Sequence, residues 1–189
     1  MKENETIEKE VKVIEIDKDE MIRKLGMMGA KKVFDGDIDM LFFDTSSCAL
    51  KKGHITLRVR KKTNRLDGKV MTEVTLKKKP KDSEDSELIK VREEYEFMSD
   101  DFERTVRFFE NLGYKKKYRI MKERISFELD GISYELDKYD RIPWIMEIEA
   151  KDLDTIREAA RRLGIEKDRL LAWSINDLLT HYNIGKNKA

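Results

Sequence analysis

The alternation of apolar and polar residues divides the chain into many strand-like runs and a few helical ones. From Ile7 to Ile16 the residues begin to alternate with period two, as in a strand with one buried face. Asp17 then opens a helix, with Glu20 three positions on, as in a capping box. Met21, Leu25 and Met28 recur at helical spacing, and Gly29 closes the element. Three strand runs follow at Ile38–Thr45, His54–Lys61 and Val70–Lys78, and then a polar loop over Pro80–Glu87. The plan then repeats. Val91–Phe97 alternates, Ser99 is expected to cap a helix carrying Phe102, Val106 and Phe109, and Gly113 ends it. Three more strands are predicted at Tyr118–Leu129, Ile132–Asp137 and Trp144–Ala150. A helix over Leu153–Leu163 and a short one starting at Ser174 complete the chain. The order strand–helix–strand–strand–strand, read twice, predicts a single α+β domain over residues 1–189. Its strand core covers about 6–150 and its C-terminal helices 153–182. Eight antiparallel strands can close into a barrel wide enough for one small ligand, here with four helices packed outside.

Composition narrows the function. The 189 residues fit one domain. Charged residues make up 42%, but 40 Lys+Arg balance 39 Asp+Glu, leaving a net charge of +1. That excludes a uniformly basic nucleic-acid binder and an acidic disordered chain. The triplets Lys77-Lys78-Lys79 and Lys115-Lys116-Lys117 are therefore not read as a nucleic-acid patch. No apolar run approaches the ~18 residues of a membrane helix, and the N-terminus is too acidic for a signal peptide. The expectation is a cytoplasmic protein with no membrane partner, as a monomer or homodimer. A single cysteine, Cys48, rules out an internal disulfide framework and a cysteine-based zinc site.

The second faces of the strands carry the chemistry. Opposite Ile55, Leu57 and Val59 stand Thr56, Arg58 and Arg60, and opposite Val74 and Leu76 stand Glu73, Thr75 and Lys77. Arg92, Glu94 and Glu96 oppose Val91, Tyr95 and Phe97. Lys122, Arg124, Ser126 and Glu128 oppose Ile125, Phe127 and Leu129. Such faces fit either a solvated open sheet or a barrel with charges inside. Six strands with this pattern, and paired arginines among them, favour the barrel. A charged interior needs a charged guest, because unpaired buried charge costs several kcal/mol. The basic set Lys12, Arg58, Arg60, Lys77, Lys122 and Arg124 suits a polyanion, since arginine's planar fork matches phosphate. The acidic set Glu8, Glu10, Glu94, Glu96, Glu147 and Glu149, without a Cys or His cluster, suits Mg²⁺ or Mn²⁺. A metal-bound polyphosphate satisfies both sets. Trp144 and Trp173 are expected to pack outside against helices, the C-terminal helix to play a plain packing role, and His54 and His181 to be structural or surface residues.

These residues resemble the CYTH superfamily, the triphosphate tunnel metalloenzymes, over about Thr6 to Tyr182. Glu8-Lys9-Glu10-Val11-Lys12 looks like its E-x-E-x-K signature. Asp39–Thr45, Ile55–Arg60, Thr75–Lys77, Arg92–Glu96, Lys122–Arg124, Leu136-Asp137 and Glu147–Glu149 follow in family order. The superfamily includes class IV adenylyl cyclases, thiamine triphosphatases and inorganic triphosphatases. The resemblance implies that Glu8, Glu10, Glu147 and Glu149 hold divalent metal and that Arg58, Arg60, Lys77, Lys122 and Arg124 grip phosphate. Lys12 would touch phosphate or orient the attacking group. Glu94 and Glu96 would bind metal or orient water, and Asp137 matches a tunnel aspartate whose role varies. The implied activity is metal-dependent hydrolysis of a nucleoside, thiamine or inorganic triphosphate. The alternative is cyclisation of ATP to cyclic AMP and pyrophosphate. Where the family often has a glycine-rich turn before its last acidic strand, this chain reads Tyr139-Asp-Arg-Ile-Pro143-Trp144.

Overall fold

The computed structural model describes residues 5–80 and 89–185, with 5–8 described by backbone alone. The expected loop at Pro80–Glu87 lies, apart from Pro80, outside the described residues. The strands are β1 (Glu5–Val13), β2 (Lys31–Asp44), β3 (Ile55–Asn64), β4 (Val70–Lys78), β5 (Lys90–Ser99), β6 (Lys115–Leu129), β7 (Ile132–Tyr139) and β8 (Ile145–Glu149). They close into an antiparallel barrel in the order β1-β5-β4-β3-β2-β6-β7-β8. Two meanders, β2-β3-β4 and β6-β7-β8, join directly through β2 and β6. On the other side β1 and β5 bridge them, each pairing with the last strand of the opposite half. The repeated plan is thus a swapped pair of half-barrels.

The described helices are α1 (Lys18–Met27), α2 (Ala49–Lys52), α3 (Phe102–Asn111), α4 (Leu153–Arg162) and α5 (Ile175–His181), with a 3₁₀ turn at Lys167–Arg169. That is one helix more than expected: α2 is a single turn between β2 and β3, too short to show periodicity. The cap of α3 also differs. Asp101, not Ser99, accepts the Arg104 N–H, at 2.9 Å. Ser99 ends β5, and its hydroxyl pairs with Thr105 instead, at 2.6 Å. A carboxylate directly before the first turn also meets the positive end of the helix dipole. None of the described helices is long and apolar enough to cross a membrane.

Residues paired in register share a face of the sheet, so pairing sorts the barrel into outside and inside. Outside, Val11, Val13, Leu136, Met146 and Ile148 pack with Leu25 of α1 and Ile156, Ala159 and Ala160 of α4. Leu41, Phe43, Leu57, Val59 and Val74 pack with Val106 and Phe109 of α3. Burying each of the larger of these side chains, the valines, leucines, isoleucines, methionines and phenylalanines, stabilises by about 1.5–3 kcal/mol.

A third cluster lies on the inner face. Phe42, Met40 and Ile38 pair with Tyr118, Ile120 and Lys122 on β6, and Lys122 pairs in turn with Tyr139. The apolar members of this set gather with Ile145, Leu178 and Leu179, and Trp173, Ile175 and Tyr182 pack against them. The C-terminal helix therefore stoppers one end of the barrel rather than merely packing on its wall. Trp173 belongs to that stopper and not to the outer packing expected for it. Residues 170–172 lead into it, with Leu171 exchanging two backbone hydrogen bonds with Lys12 just past the last β5 pairing of β1. Tyr182 Oη donates to Glu15, and Arg169 donates to the Ile14 carbonyl, fixing the stopper to the end of β1. His181 sits between Trp173 and Tyr182 as a structural residue, tilted against the indole and edge-on to the phenol ring. In the turn before β8 it is Arg141, at φ 58°, that adopts the left-handed backbone a glycine would take more easily.

Candidate active site

The inner face beyond the stopper is almost entirely charged. Its first group sits at the seam of β1 and β8. Lys12 Nζ lies 3.0 Å from Glu10 Oε1 and 2.9 Å from Glu147 Oε1, so two carboxylates converge on one cationic point. Glu10 also accepts from Lys90 of β5. Burial alone would push the Lys12 ammonium down, but the two carboxylates outweigh it and raise it. Burial likewise acts to raise Glu10, but Lys12 and Lys90 hold it below the usual carboxylate range. Glu147 is held low in the same way, by Lys12, Lys122 and Arg124. Glu149 is opposite Glu10 in register, at the end of β8. Glu8 holds the matching inner position on β1, opposite Arg92, but its side chain is outside the described residues.

The second group is built on β6 and β7. Arg124 makes a bidentate contact with Asp137, both bonds at 2.6 Å, reaches Glu147 at 2.8 Å and also pairs with Glu135. Lys122 Nζ contacts Asp137 at 2.6 Å. Asp137 is fully buried, so its charge is matched within the protein by these two cations. Burial opposes the charge of Arg124, yet Asp137 and Glu135 raise its guanidinium well above the ordinary value. Lys122 is pushed down by burial and by the Arg124 charge beside it. Burial raises the Glu135 carboxyl.

The third group, on β3, β4 and β5, is different. Arg58 approaches Glu94 only to 3.7 Å, while Lys77 contacts Glu94 at 3.1 Å. Arg60 pairs with Glu73 and with Glu96, the latter at 2.8 Å, and Lys62 contacts Glu73 at 2.5 Å. Burial, and then neighbouring Arg58, push the Arg60 guanidinium down to about 10. Burial, and then Arg60, push the Lys62 amine down to about 7. Among the described residues, the buried Nε groups of both Arg58 and Arg60 have no hydrogen-bond partner. On this side of the barrel, then, the described carboxylates leave two buried guanidinium donors unsatisfied.

The structure thus brings Lys12, Arg58, Arg60, Lys77, Glu94, Glu96, Lys122, Arg124, Asp137, Glu147 and Glu149, with Glu10, to the inner face. Sequence reading missed roles for Lys62, Lys90 and Glu135, although parity with Arg60, Arg92 and Asp137 placed each on that face. Glu73 stood on the right face but had no assigned function. Among the described residues no three Asp, Glu, His or Cys side chains converge into a group able to hold a metal. Carboxylates do converge on cations: Glu10 and Glu147 on the Lys12 ammonium, and Glu135, Asp137 and Glu147 around the Arg124 guanidinium. An outer groove of about 530 Å³ over β2, β3, β6 and β7 is lined by Asp37, Asp39, Lys61, Glu123 and Lys138 among others. Its acids pair with surface arginines, Asp39 with Arg119 and both Asp37 and Glu123 with Arg65. It is far less buried than the inner face, and the orphaned arginine donors among the described residues lie on the inner face and not in this groove.

Known proteins share this architecture. A Methanocaldococcus jannaschii protein provisionally named as an adenylate cyclase is 29% identical over 184 residues, covering 91% of this chain and 98% of its own. A solved structure from Vibrio parahaemolyticus, also provisionally an adenylate cyclase, superposes with a TM-score of 0.76 at 16% identity, covering 93% and 98% of the two chains. A Hippeastrum protein described as a provisional adenylyl cyclase with a dominant triphosphatase activity superposes with a TM-score of 0.57 at 16% identity, covering 96% and 90%. At that identity the two structures speak for the fold alone. Residues 6–174 match the family described as CYTH domain, and the chain belongs to that family.

Proposed function

We propose that this protein is a divalent-metal-dependent enzyme that binds a triphosphate inside the barrel and hydrolyses its terminal phosphoanhydride. The observation that carries this reading is the pair of buried Nε donors on Arg58 and Arg60 that find no partner among the described residues. Orphaned buried donors are costly, and two on adjacent inward positions call for an anion with several oxygens. CYTH membership and relatives named for adenylate cyclase and triphosphatase activities support a triphosphate as that anion.

Each group then has a task. Arg58, Arg60 and Lys77 bind phosphate oxygens from one wall, and Lys122 and Arg124 from the other. Together they neutralise charge, the main demand of phosphoryl transfer. Asp137 orients Lys122 and Arg124. Glu94 and Glu96 orient the attacking water. The water oxygen bonds to the terminal phosphorus as the bridging P–O bond breaks. The diphosphate leaves with that electron pair, and the water proton passes to a carboxylate of the tunnel.

The donor set also fits a hard cation. It is carboxylate only, and Glu10 and Glu147 already aim at one cationic point, held here by the Lys12 ammonium. Glu10 and Glu147, with Glu8 and Glu149, would hold Mg²⁺ or Mn²⁺. Bound there, the ion would supply Lewis-acid neutralisation of phosphate charge. Lys12 would then turn to phosphate.

Cyclisation of ATP is the second reading, favoured by the names of the Methanocaldococcus and Vibrio relatives. Against it, the aromatic faces beside Arg58 are already partly used. Phe42 and Tyr118 stack on each other at 4.4 Å under the stopper, so one face of each ring is already taken there. The test is incubation with ATP, thiamine triphosphate and inorganic triphosphate under Mg²⁺ and Mn²⁺, with products separated. Orthophosphate release supports hydrolysis, and cyclic AMP with pyrophosphate supports the second reading. Turnover of none of the three contradicts both.

A further inference from the structure

Arg58, Arg60 and Lys62 occupy alternate positions of β3, so all three point into the barrel, with about 6.6 Å between neighbours along the strand. The row begins beside the stopper, where Arg58 pairs in register with Phe42, and runs toward the opposite end. Glu73 stands opposite Arg60 on β4 and is 5% exposed. Its carboxylate bridges Arg60 and Lys62 and accepts the Thr75 hydroxyl at 3.1 Å. A buried carboxylate held between two cations of a phosphate clamp occupies the kind of place a phosphate oxygen pair would fill.

Among the described residues, Glu73 is the one carboxylate shown in direct contact with the Lys62 amine. Met71 of β4 and Ile38 of β2 pair with it in register and are apolar. Arg60 on its own strand and Arg124 on β6 repel it, while Glu135 on β7 and Glu96 on β5 attract it. The amine is therefore deep enough to be felt by both walls and near enough to Arg60 to share a ligand with it.

Resting on the triphosphate reading above, we propose that Lys62 is a further phosphate-binding residue. Glu73 is its placeholder: an incoming phosphate group displaces the Glu73 carboxylate from Arg60 and Lys62. The row Arg58–Arg60–Lys62 then reads phosphate number, because a two-phosphate ligand held at Arg58 and Arg60 leaves Lys62 on Glu73. Glu73 is a positioning residue in the empty barrel and a competitor for the filled one.

The experiment is calorimetric titration of inorganic triphosphate and of pyrophosphate into wild type, Lys62→Met, Lys62→Arg and Glu73→Gln, each first shown to melt cooperatively. Lys62→Met is expected to weaken triphosphate binding about tenfold, the loss of one charge-assisted hydrogen bond, and to change pyrophosphate binding less than twofold. Lys62→Arg should restore the discrimination. Glu73→Gln should tighten triphosphate binding several-fold, because a neutral amide competes less well for Arg60 and Lys62. Equal losses for both ligands in Lys62→Met, or weaker triphosphate binding in Glu73→Gln, would overturn the proposal and leave a plain structural ion pair. Should Lys62→Met fail to fold, Glu73→Gln decides alone by the sign of its effect. Absence of triphosphate binding by wild type would instead overturn the underlying triphosphate reading, and the subsite with it.

Discussion

Lys12 on β1 and Glu147 on β8 face each other in register across the seam of the barrel, their charged atoms 2.9 Å apart. Glu10, two residues before Lys12 on β1, meets the same ammonium at 3.0 Å. A lysine held between two buried carboxylates does the electrostatic work that a bound cation could take over. Replacing it by Lys12→Met should cost about 3–5 kcal/mol, because two buried charges lose their common partner. Mg²⁺ or Mn²⁺ should recover part of that loss and raise the melting temperature of the variant more than that of wild type. Melting curves with metal and with chelator decide it. Equal metal effects on the two proteins would argue against a cation site at this seam.

The carboxylate half of the same seam can be tested through turnover. Glu147→Gln keeps the shape and removes the charge. Activity on inorganic triphosphate should fall at least ~10²-fold, as for removal of one electrostatic group that stabilises the transition state. Full wild-type activity in excess chelator would contradict metal dependence.

On the opposite wall, Arg60→Lys retains charge and loses the fork. If Arg60 meets charge that builds as the bond breaks, kcat should fall about a hundredfold while KM stays near its starting value. A rise in KM with kcat intact would assign Arg60 to uniform binding instead.

Lys62 gives a dependence on pH with a definite sign. Its amine is pushed down to about 7 from an ordinary 10.5, so between those values the unfolded chain binds more protons than the folded one. This group alone makes the free protein more stable as pH rises through that window. A bound polyanion favours the protonated amine, so triphosphate binding above pH 7 should take up protons. Calorimetry in buffers of different ionisation enthalpy measures the uptake. It should shrink in Lys62→Met, and an unchanged value would contradict the assignment.

Much of this was legible along the chain because strand parity is strict. Once Arg58 and Arg60 oppose Leu57 and Val59, a single register places both arginines inside and both aliphatics under α3. The β6–β7 hairpin is equally local, with Asp130 and Gly131 both at positive φ in a two-residue turn. The first half of β2 was not legible, since Lys31, Lys32, Asp35 and Asp37 hide its alternation and its pairing with β6 supplies the order. The inward apolar cluster was missed for a different reason. Ile38, Met40 and Phe42 look like any core-facing strand run, and only their pairing with Tyr118 and Ile120 and the return of α5 show which side of the barrel they fill. The Glu73 bridge depends on how two strands align, which no single-strand pattern contains.

The central claim is that a triphosphate lies inside this barrel, against Arg58 and Arg60. A crystal structure of the protein with inorganic triphosphate and Mg²⁺ tests it most directly. The account predicts phosphate oxygens within hydrogen-bond distance of the Nε atoms of Arg58 and Arg60, with Lys122 and Arg124 on the opposite wall. Triphosphate bound only on the outer groove beside Asp39 and Lys61, or a barrel interior whose internal ion pairs are unchanged at saturating ligand, would contradict it.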